Sequence, residues 1–312
     1  MINKIKSNYL SIGVHTAVQG VFLVVHLIIM GIFLTPSEIG RVALLTVVIN
    51  IALELVEFGA LTTYVNENKN LNLLPVFLMN FINGVALYCF LYMAGGVYLE
   101  YFGIVEYQEE FNIYLIVLLL SPFSIAIRAK FRRDLDFPVI GLIDTIAVVI
   151  SFVVSVMYVL NSYKEISIIM FFVVLMLVRA VLYLFYLNVK KYESGSGIKY
   201  ALINSIFIHY KNGLYVVGEK ITTAVSAGLP ILIISKIIGI NASGLYSYAQ
   251  QLLSYPSGFI LSITSKVLMP SIVKIRKKGD DSDLKLYYKN IMFVFFLLAP
   301  IYLLIAIEPS AF

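Results

Sequence analysis

The stretch FPVIGLIDTIAVVISFVVSVMYVL, Phe137 to Leu160, decides the fold class. It carries one charged side chain, Asp144, across a length that as a helix covers a hydrocarbon core of about 30 Å. A barrel strand would need only about 9–11 residues and would alternate apolar with polar positions. This stretch is too long and too evenly apolar for that. In lipid the backbone N–H and C=O groups of such a segment must be satisfied internally, which makes it a transmembrane helix.

Comparable runs occupy most of the chain. The 312 residues are 60% hydrophobic and 13% charged, with a mean hydropathy of +0.92. A soluble domain carries about 25% charged residues because its surface faces water. Nine spans are expected, at approximately 9–33, 40–63, 71–95, 111–129, 137–160, 166–189, 207–235, 244–270 and 286–307. The first follows Lys4 and Lys6, but His15, Gln19 and His26 interrupt it and no small-residue cleavage site follows, so it reads as a retained helix rather than a signal peptide. The single cysteine, Cys89, lies inside an apolar run and can form no internal disulfide.

Lys and Arg collect in cytoplasmic loops, so their placement orients the spans. With the N-terminus inside, the inner side receives Lys4, Lys6, Lys69 and the cluster Arg128, Lys130, Arg132 and Arg133. It also receives Lys190, Lys191, Lys199 and the run Lys274, Arg276, Lys277 and Lys278. The outer side receives only Arg41, Lys164 and Lys236, and its third loop holds Glu100, Glu106, Glu109 and Glu110. The net charge of +5 therefore reports topology and contact with anionic headgroups, not nucleic acid. The FRRDLDFP segment, Phe131 to Pro138, is expected to be a cytoplasmic loop.

One flexible linker stands out, Glu193-Ser194-Gly195-Ser196-Gly197, between the sixth and seventh spans. The sequences on either side of it resemble each other. LTPSEIGRVALL (Leu34 to Leu45) and IGINASGLYSYA (Ile238 to Ala249) each pair a short outer loop with a glycine opening the next span. Aligning Gly40 with Gly244 gives an offset of 204 residues. Six spans per repeat is an even number, so the halves run parallel, a transporter arrangement whose substrate site lies between them. The expected organisation is a six-helix lobe over 1–192, a linker and cytoplasmic segment over 193–206, and the first three helices of a second lobe over 207–312. On this reading roughly 100–170 further residues complete the second lobe.

Ionisable groups within the spans are costly, about 2.5–3.5 kcal/mol each, and those retained usually face a cavity or a partner. His15, Gln19 and His26 share one face of the first span, and Asn50, Glu54 and Glu57 one face of the second. Asn80 and Asn83 read as interhelical hydrogen-bonding residues, while Asp144 and Lys211 lie near inner ends where snorkelling is an alternative. Arg179, Glu54 and Lys220 are the deepest charges. No GxxxxGK[ST] loop, HExxH, paired-cysteine site or GxSxG elbow occurs, and His15, His26 and His209 are too dispersed for a metal cluster. No cofactor, metal or catalytic residue is expected, and the chain reads as a transporter rather than an enzyme.

Three segments resemble the polysaccharide-transport flippases of the multidrug/oligosaccharidyl-lipid/polysaccharide exporter superfamily. They are FLTPSEIGRVALL (Phe33 to Leu45), RRDLDFPVIGLIDTIAVVIS (Arg132 to Ser151) and ISKIIGINASGLYSYAQQLLSYPSGFI (Ile234 to Ile260). The resemblance implies a MATE-like pair of lobes around a central cavity in the bacterial cytoplasmic membrane. It implies flipping of undecaprenyl-pyrophosphate-linked oligosaccharides for O-antigen, capsule or exopolysaccharide synthesis, coupled to H+ or Na+. The implied partners are that lipid-linked oligosaccharide, membrane lipids, and the polymerase and chain-length machinery. By this analogy Arg179, Lys211 and Lys220 would receive the anionic headgroup, and Glu54, Glu57, Asp144 and Glu219 would couple ions or pair those cations. The competing readings are an ion-coupled drug exporter, which would favour acidic residues in the cavity, and a membrane glycan polymerase or ligase, which would need a large outer catalytic loop.

Overall fold

The computed structural model describes residues 2–66, 73–134, 136–189, 201–263 and 292, and within them every regular element is helical. The helices are α1 (Ile2–Phe33), α2 (Pro36–Glu57), α3 (Ala60–Asn66), α4 (Leu73–Phe102), α5 (Gln108–Asp134), α6 (Phe137–Leu160), α7 (Lys164–Val189), α8 (Ala201–Ile237) and α9 (Ile240–Ile263). A single 3-10 turn, Val105–Tyr107, joins α4 to α5. Among the described residues seven helical segments are long and apolar enough to cross a membrane, from Gly13–Phe33 to His209–Ile237. The protein is a multi-pass membrane protein.

The observed helices follow the expected spans, and α6 coincides with its span. Three differences have physical causes. α5 continues through Arg128, Lys130, Arg132 and Arg133 to Asp134, so the basic half of the expected loop is the end of a helix. Basic residues suit a helix C-terminus, where the carbonyl dipoles point outward. The eighth span, α9, is not among the seven apolar segments, because its helix carries Asn241, Ser243, Ser247, Gln250 and Gln251. The ninth expected span lies outside the described residues.

The third difference is a break in the second span. Phe58 and Gly59 both have positive φ, 43° and 69°, which ends α2 before α3 begins at Ala60. Ending a helix frees its last carbonyls, which in lipid must find other donors. Asn83 Nδ2 donates to the Leu55 carbonyl at 3.4 Å. The buried Asn80 amide, oriented by its surroundings, donates to the carbonyls of Val56 and Glu57 at 3.0 and 3.2 Å. The other end of α2 is set by the TPSE sequence. The Glu38 N–H donates to Thr35 Oγ1, the Thr35 N–H donates to Glu38 Oε2, and Pro36 occupies the first turn.

Helices α2, α4, α5 and α7, with Ile231 of α8, pack around a core in which Leu44, Leu45, Ile49, Leu115 and Leu118 are fully buried. The polar face of α1 turns to α6. His15 Nδ1 lies 3.2 Å from Thr145 Oγ1, Gln19 Nε2 donates to Thr145 Oγ1 at 3.1 Å, and His26 Nε2 lies 2.9 Å from Ser155 Oγ. Val14, Val21, Ile28 and Ile32 on α1 are exposed, as are Phe90, Met93 and Val97 on α4, as lipid-facing positions should be.

α8 and α9 lie against α2, with α9 also touching α1. The crossing of α2 with α9 is close. A side chain on Gly40 would collide with the Ile240 carbonyl, and one on Gly244 with the Pro36 carbonyl. Only glycine permits backbones to approach so closely.

Candidate functional site

A cavity of about 490 Å³ lies between α1, α2, α7, α8 and α9, within the roughly 300–1,000 Å³ range of ligand sites. On α7 its wall runs from Ile168 to Arg179, about 16 Å at the helical rise. α1 contributes Gln19 and His26, α2 contributes Thr46 and Asn50, and α9 contributes Ser247, Tyr248, Gln250 and Gln251. From α8 come small residues, Ala224, Ala227 and Gly228. Apolar and aromatic surface, including Phe171 and Phe172, fills the spaces between these polar groups. Among the described lining residues Arg179 is the one formally charged side chain.

Arg179 is held from behind. Its Nε lies 3.0 Å from Asp144 Oδ1, and Arg128 Nη2 lies 3.2 Å from Asp144 Oδ2. Tyr183 Oη donates to Asp144 Oδ1 at 3.5 Å. Asp144 is buried, so it pairs within the protein rather than snorkelling. Three helices thus converge on one carboxylate, α6 supplying it and α5 and α7 the two guanidiniums. Arg179 is the member of this cluster at the cavity wall.

A second ionic cluster joins α2 to α8. Lys220 Nζ pairs with Glu57 Oε1 and lies 3.3 Å from Glu54 Oε2. It sits along α8 beyond Ala224, the last lining residue in that direction. Further along, a side chain on Gly213 would meet the Phe58 carbonyl, the Phe58 and Tyr210 rings pack edge to face at 4.9 Å, and Tyr210 Oη donates to Asn83 Oδ1 at 2.6 Å. Lys211 and Glu219 are exposed on α8 and line no part of the cavity. Of the expected headgroup residues, then, Arg179 reaches the cavity, Lys220 is held by Glu54 and Glu57, and Lys211 stands apart.

Arg128 did not stand out in the sequence because it belongs to a basic run of the kind that fixes topology. Its one distinguishing signal is position, four residues before Arg132 and therefore a full helical turn deeper. Gln250 and Gln251 are the other unanticipated residues, adjacent amides in a span otherwise read for its length.

A family profile for polysaccharide biosynthesis proteins matches residues 29–310. The chain belongs to that family, the polysaccharide flippases. It is also similar to the lipopolysaccharide biosynthesis protein WzxC of Escherichia coli (strain K12), at 22% identity over 248 residues. That alignment covers 79% of this chain and 49% of WzxC, so the chain spans about half the length of this relative. No solved structure matches the chain. The family match includes the Gly40 and Gly244 crossing and the cavity-lining residues of α2, α7, α8 and α9.

Proposed function

We propose that this protein carries undecaprenyl-pyrophosphate-linked oligosaccharides across the bacterial cytoplasmic membrane by alternating access between two parallel lobes. The observation that carries this reading is the cavity, built from helices on both sides of the 193–206 linker and presenting Arg179, backed by Asp144. Parallel lobes are supported by the α2–α9 crossing. Pro36 and Gly40 meet Ile240 and Gly244, and each pair is related by the same 204-residue offset. A quasi-two-fold axis through that crossing is what a duplicated lobe requires.

With the N-terminus in the cytoplasm, the Gly40–Gly244 crossing lies near the outer face and the Lys220 cluster towards the inner one. Arg179 then receives the pyrophosphate at the deep end of the cavity. Lys220 with Glu54 and Glu57 closes the path below it, and opening that cluster admits substrate from the inner leaflet. Exposed Lys211 meets the headgroup on entry. Glu54, Glu57 and Glu219 are the carboxylates to which H+ or Na+ coupling is assigned, because Asp144 is already committed to two arginines.

Complementation tests this reading. A strain lacking its own flippase, supplied with the native gene, should regain polysaccharide export, and Arg179→Ala should reduce it severely. Lipid-linked units left on the inner leaflet despite good expression would refute the transport assignment. Normal export by both Arg179→Ala and Lys220→Ala would refute the residue roles alone.

A further inference from the structure

One side chain of the cavity wall is held in a fixed tautomer. His26, on α1, lines the cavity and is otherwise buried. Its Nε2 lies 2.9 Å from Ser155 Oγ, and Ser155 Oγ in turn donates to the Ser167 carbonyl at 2.7 Å. A serine hydroxyl has one hydrogen, and a carbonyl can only accept. Ser155 must therefore accept from His26, which puts the ring hydrogen on Nε2 and leaves Nδ1 of the neutral imidazole as an acceptor. Phe171 stacks on the ring with centroids 4.3 Å apart, and Phe152 meets it edge-on at 6.4 Å. Helices α6 and α7 thus set the plane, direction and tautomer of this ring before a ligand arrives, which lowers the ordering cost of binding.

We propose that His26 reads the glycan, its Nδ1 accepting a hydrogen bond from a hydroxyl or amide N–H of the sugars next to the pyrophosphate. This deepens the flippase reading above and rests on it. Position supports the assignment. The lining residues of α7 run from Ile168 to Arg179, so a headgroup anchored at Arg179 has the cavity open to it in the direction of Phe171. Phe171, on which His26 stacks, stands eight residues from Arg179, about 12 Å along the helix. A pyrophosphate and its first sugars bridge that distance. Chemistry supports it as well. A pyrophosphate oxygen is itself an acceptor and gains nothing from Nδ1, whereas a sugar hydroxyl or acetamido N–H presents the donor that Nδ1 takes. Phe171 and Phe172 add apolar surface at the same level for the C–H faces of sugar rings. A histidine that only tied α1 to α6 would use its Nε2 and nothing more.

The two ring nitrogens can be tested apart, because a glutamine amide reaches the place of Nε2 and an asparagine amide that of Nδ1. The experiment measures binding to the protein in lipid nanodiscs of two probes, polyprenyl pyrophosphate carrying an N-acetylhexosamine disaccharide and polyprenyl pyrophosphate alone. The native protein should bind the glycolipid about tenfold more tightly than the sugar-free lipid. His26→Gln keeps a donor for Ser155 and should lose about fivefold of that preference, with its affinity for the sugar-free lipid unaltered. His26→Asn gives up the bond to Ser155 but keeps an acceptor near Nδ1, so most of the preference should remain. An undiminished preference in His26→Gln, folded as judged by circular dichroism, overturns the proposal, since His26 then serves only to tie α1 to α6. If His26→Gln does not fold, His26→Asn decides: preference kept supports the proposal, and preference lost overturns it. Equal binding of the two probes by the native protein overturns it too and leaves the flippase reading standing. Binding of neither probe overturns the flippase reading itself.

Discussion

Asp144→Asn removes one charge and almost no volume, which makes it a clean probe of the cluster behind the cavity. Asp144 has 4% of its side chain exposed, against 22% for Arg128 and 16% for Arg179. Two guanidiniums within 3.2 Å of one carboxylate become, in the variant, two like charges facing a neutral amide. If the pairing is ionic, breaking it costs about 3–5 kcal/mol, the range for removing one partner of a buried ion pair. If hydrogen bonding is all that matters, Asn keeps an acceptor and the cost stays near 0.6 kcal/mol, with about 1.7 as a ceiling in membrane helices. The two readings are far enough apart to resolve. Reversible unfolding in mixed lipid–detergent micelles, followed by circular dichroism, gives the difference directly. The triple variant Arg128→Gln, Asp144→Asn, Arg179→Gln provides the control. Replacing a whole buried charge cluster is often neutral, so the triple should recover most of the stability that the single variant loses. A single-variant cost below about 1 kcal/mol would refute the ionic account. A triple variant no more stable than the single would show packing, not charge, to be responsible.

Gly40→Ala and Gly244→Ala should each destabilise by about 1–3 kcal/mol in the same unfolding assay, since the added methyl meets backbone that cannot yield. Gly218→Ala on α8 faces open space and should be neutral or stabilising by about 0.5–1 kcal/mol. Lys220→Gln should lower export strongly in the complementation strain while Lys220→Arg retains it, because Glu54 and Glu57 need a cation between them. In a Cys89→Ser background, Glu57→Cys with Lys220→Cys should be cross-linked by a short bifunctional thiol reagent, as the contact of α2 with α8 at that pair requires. Ser155→Ala should cost about 0.6 kcal/mol in the unfolding assay, the usual size of one interhelical hydrogen bond to a partner such as His26.

The helical fold was legible because a membrane leaves the chain one local solution. Apolar length alone located α6 to the residue and placed α7 within two residues of its start. What length could not locate were helix ends governed by side-chain chemistry. The TPSE cap starts α2 at Pro36, before the expected span, and this signal was present in Thr35 and Glu38. Phe58 is different. A left-handed phenylalanine has no local signature, and the break holds because Asn80 and Asn83, from another helix, take the carbonyls it frees.

The site was legible in its residue types and illegible in its pairings, for a reason that bears on how the protein works. Depth in the membrane marked Arg179, Glu54 and Lys220 as expensive and left Asp144 near an inner end, but depth is one coordinate and pairing needs three. Asp144 sits 35 residues from Arg179 and 16 from Arg128, and Lys220 more than 160 from either of its glutamates, so nothing local relates them. The outcome divides the charges by task. The Arg128–Asp144–Arg179 cluster is confined to α5, α6 and α7, and it fixes Arg179 whatever α8 does. The Lys220 cluster instead joins α2 to α8, across the linker. A movement of α8 against α2 must therefore break the second cluster and can leave the first intact. In the alternating access proposed above, the first cluster is the fixed anchor and the second the closure that opens beside it.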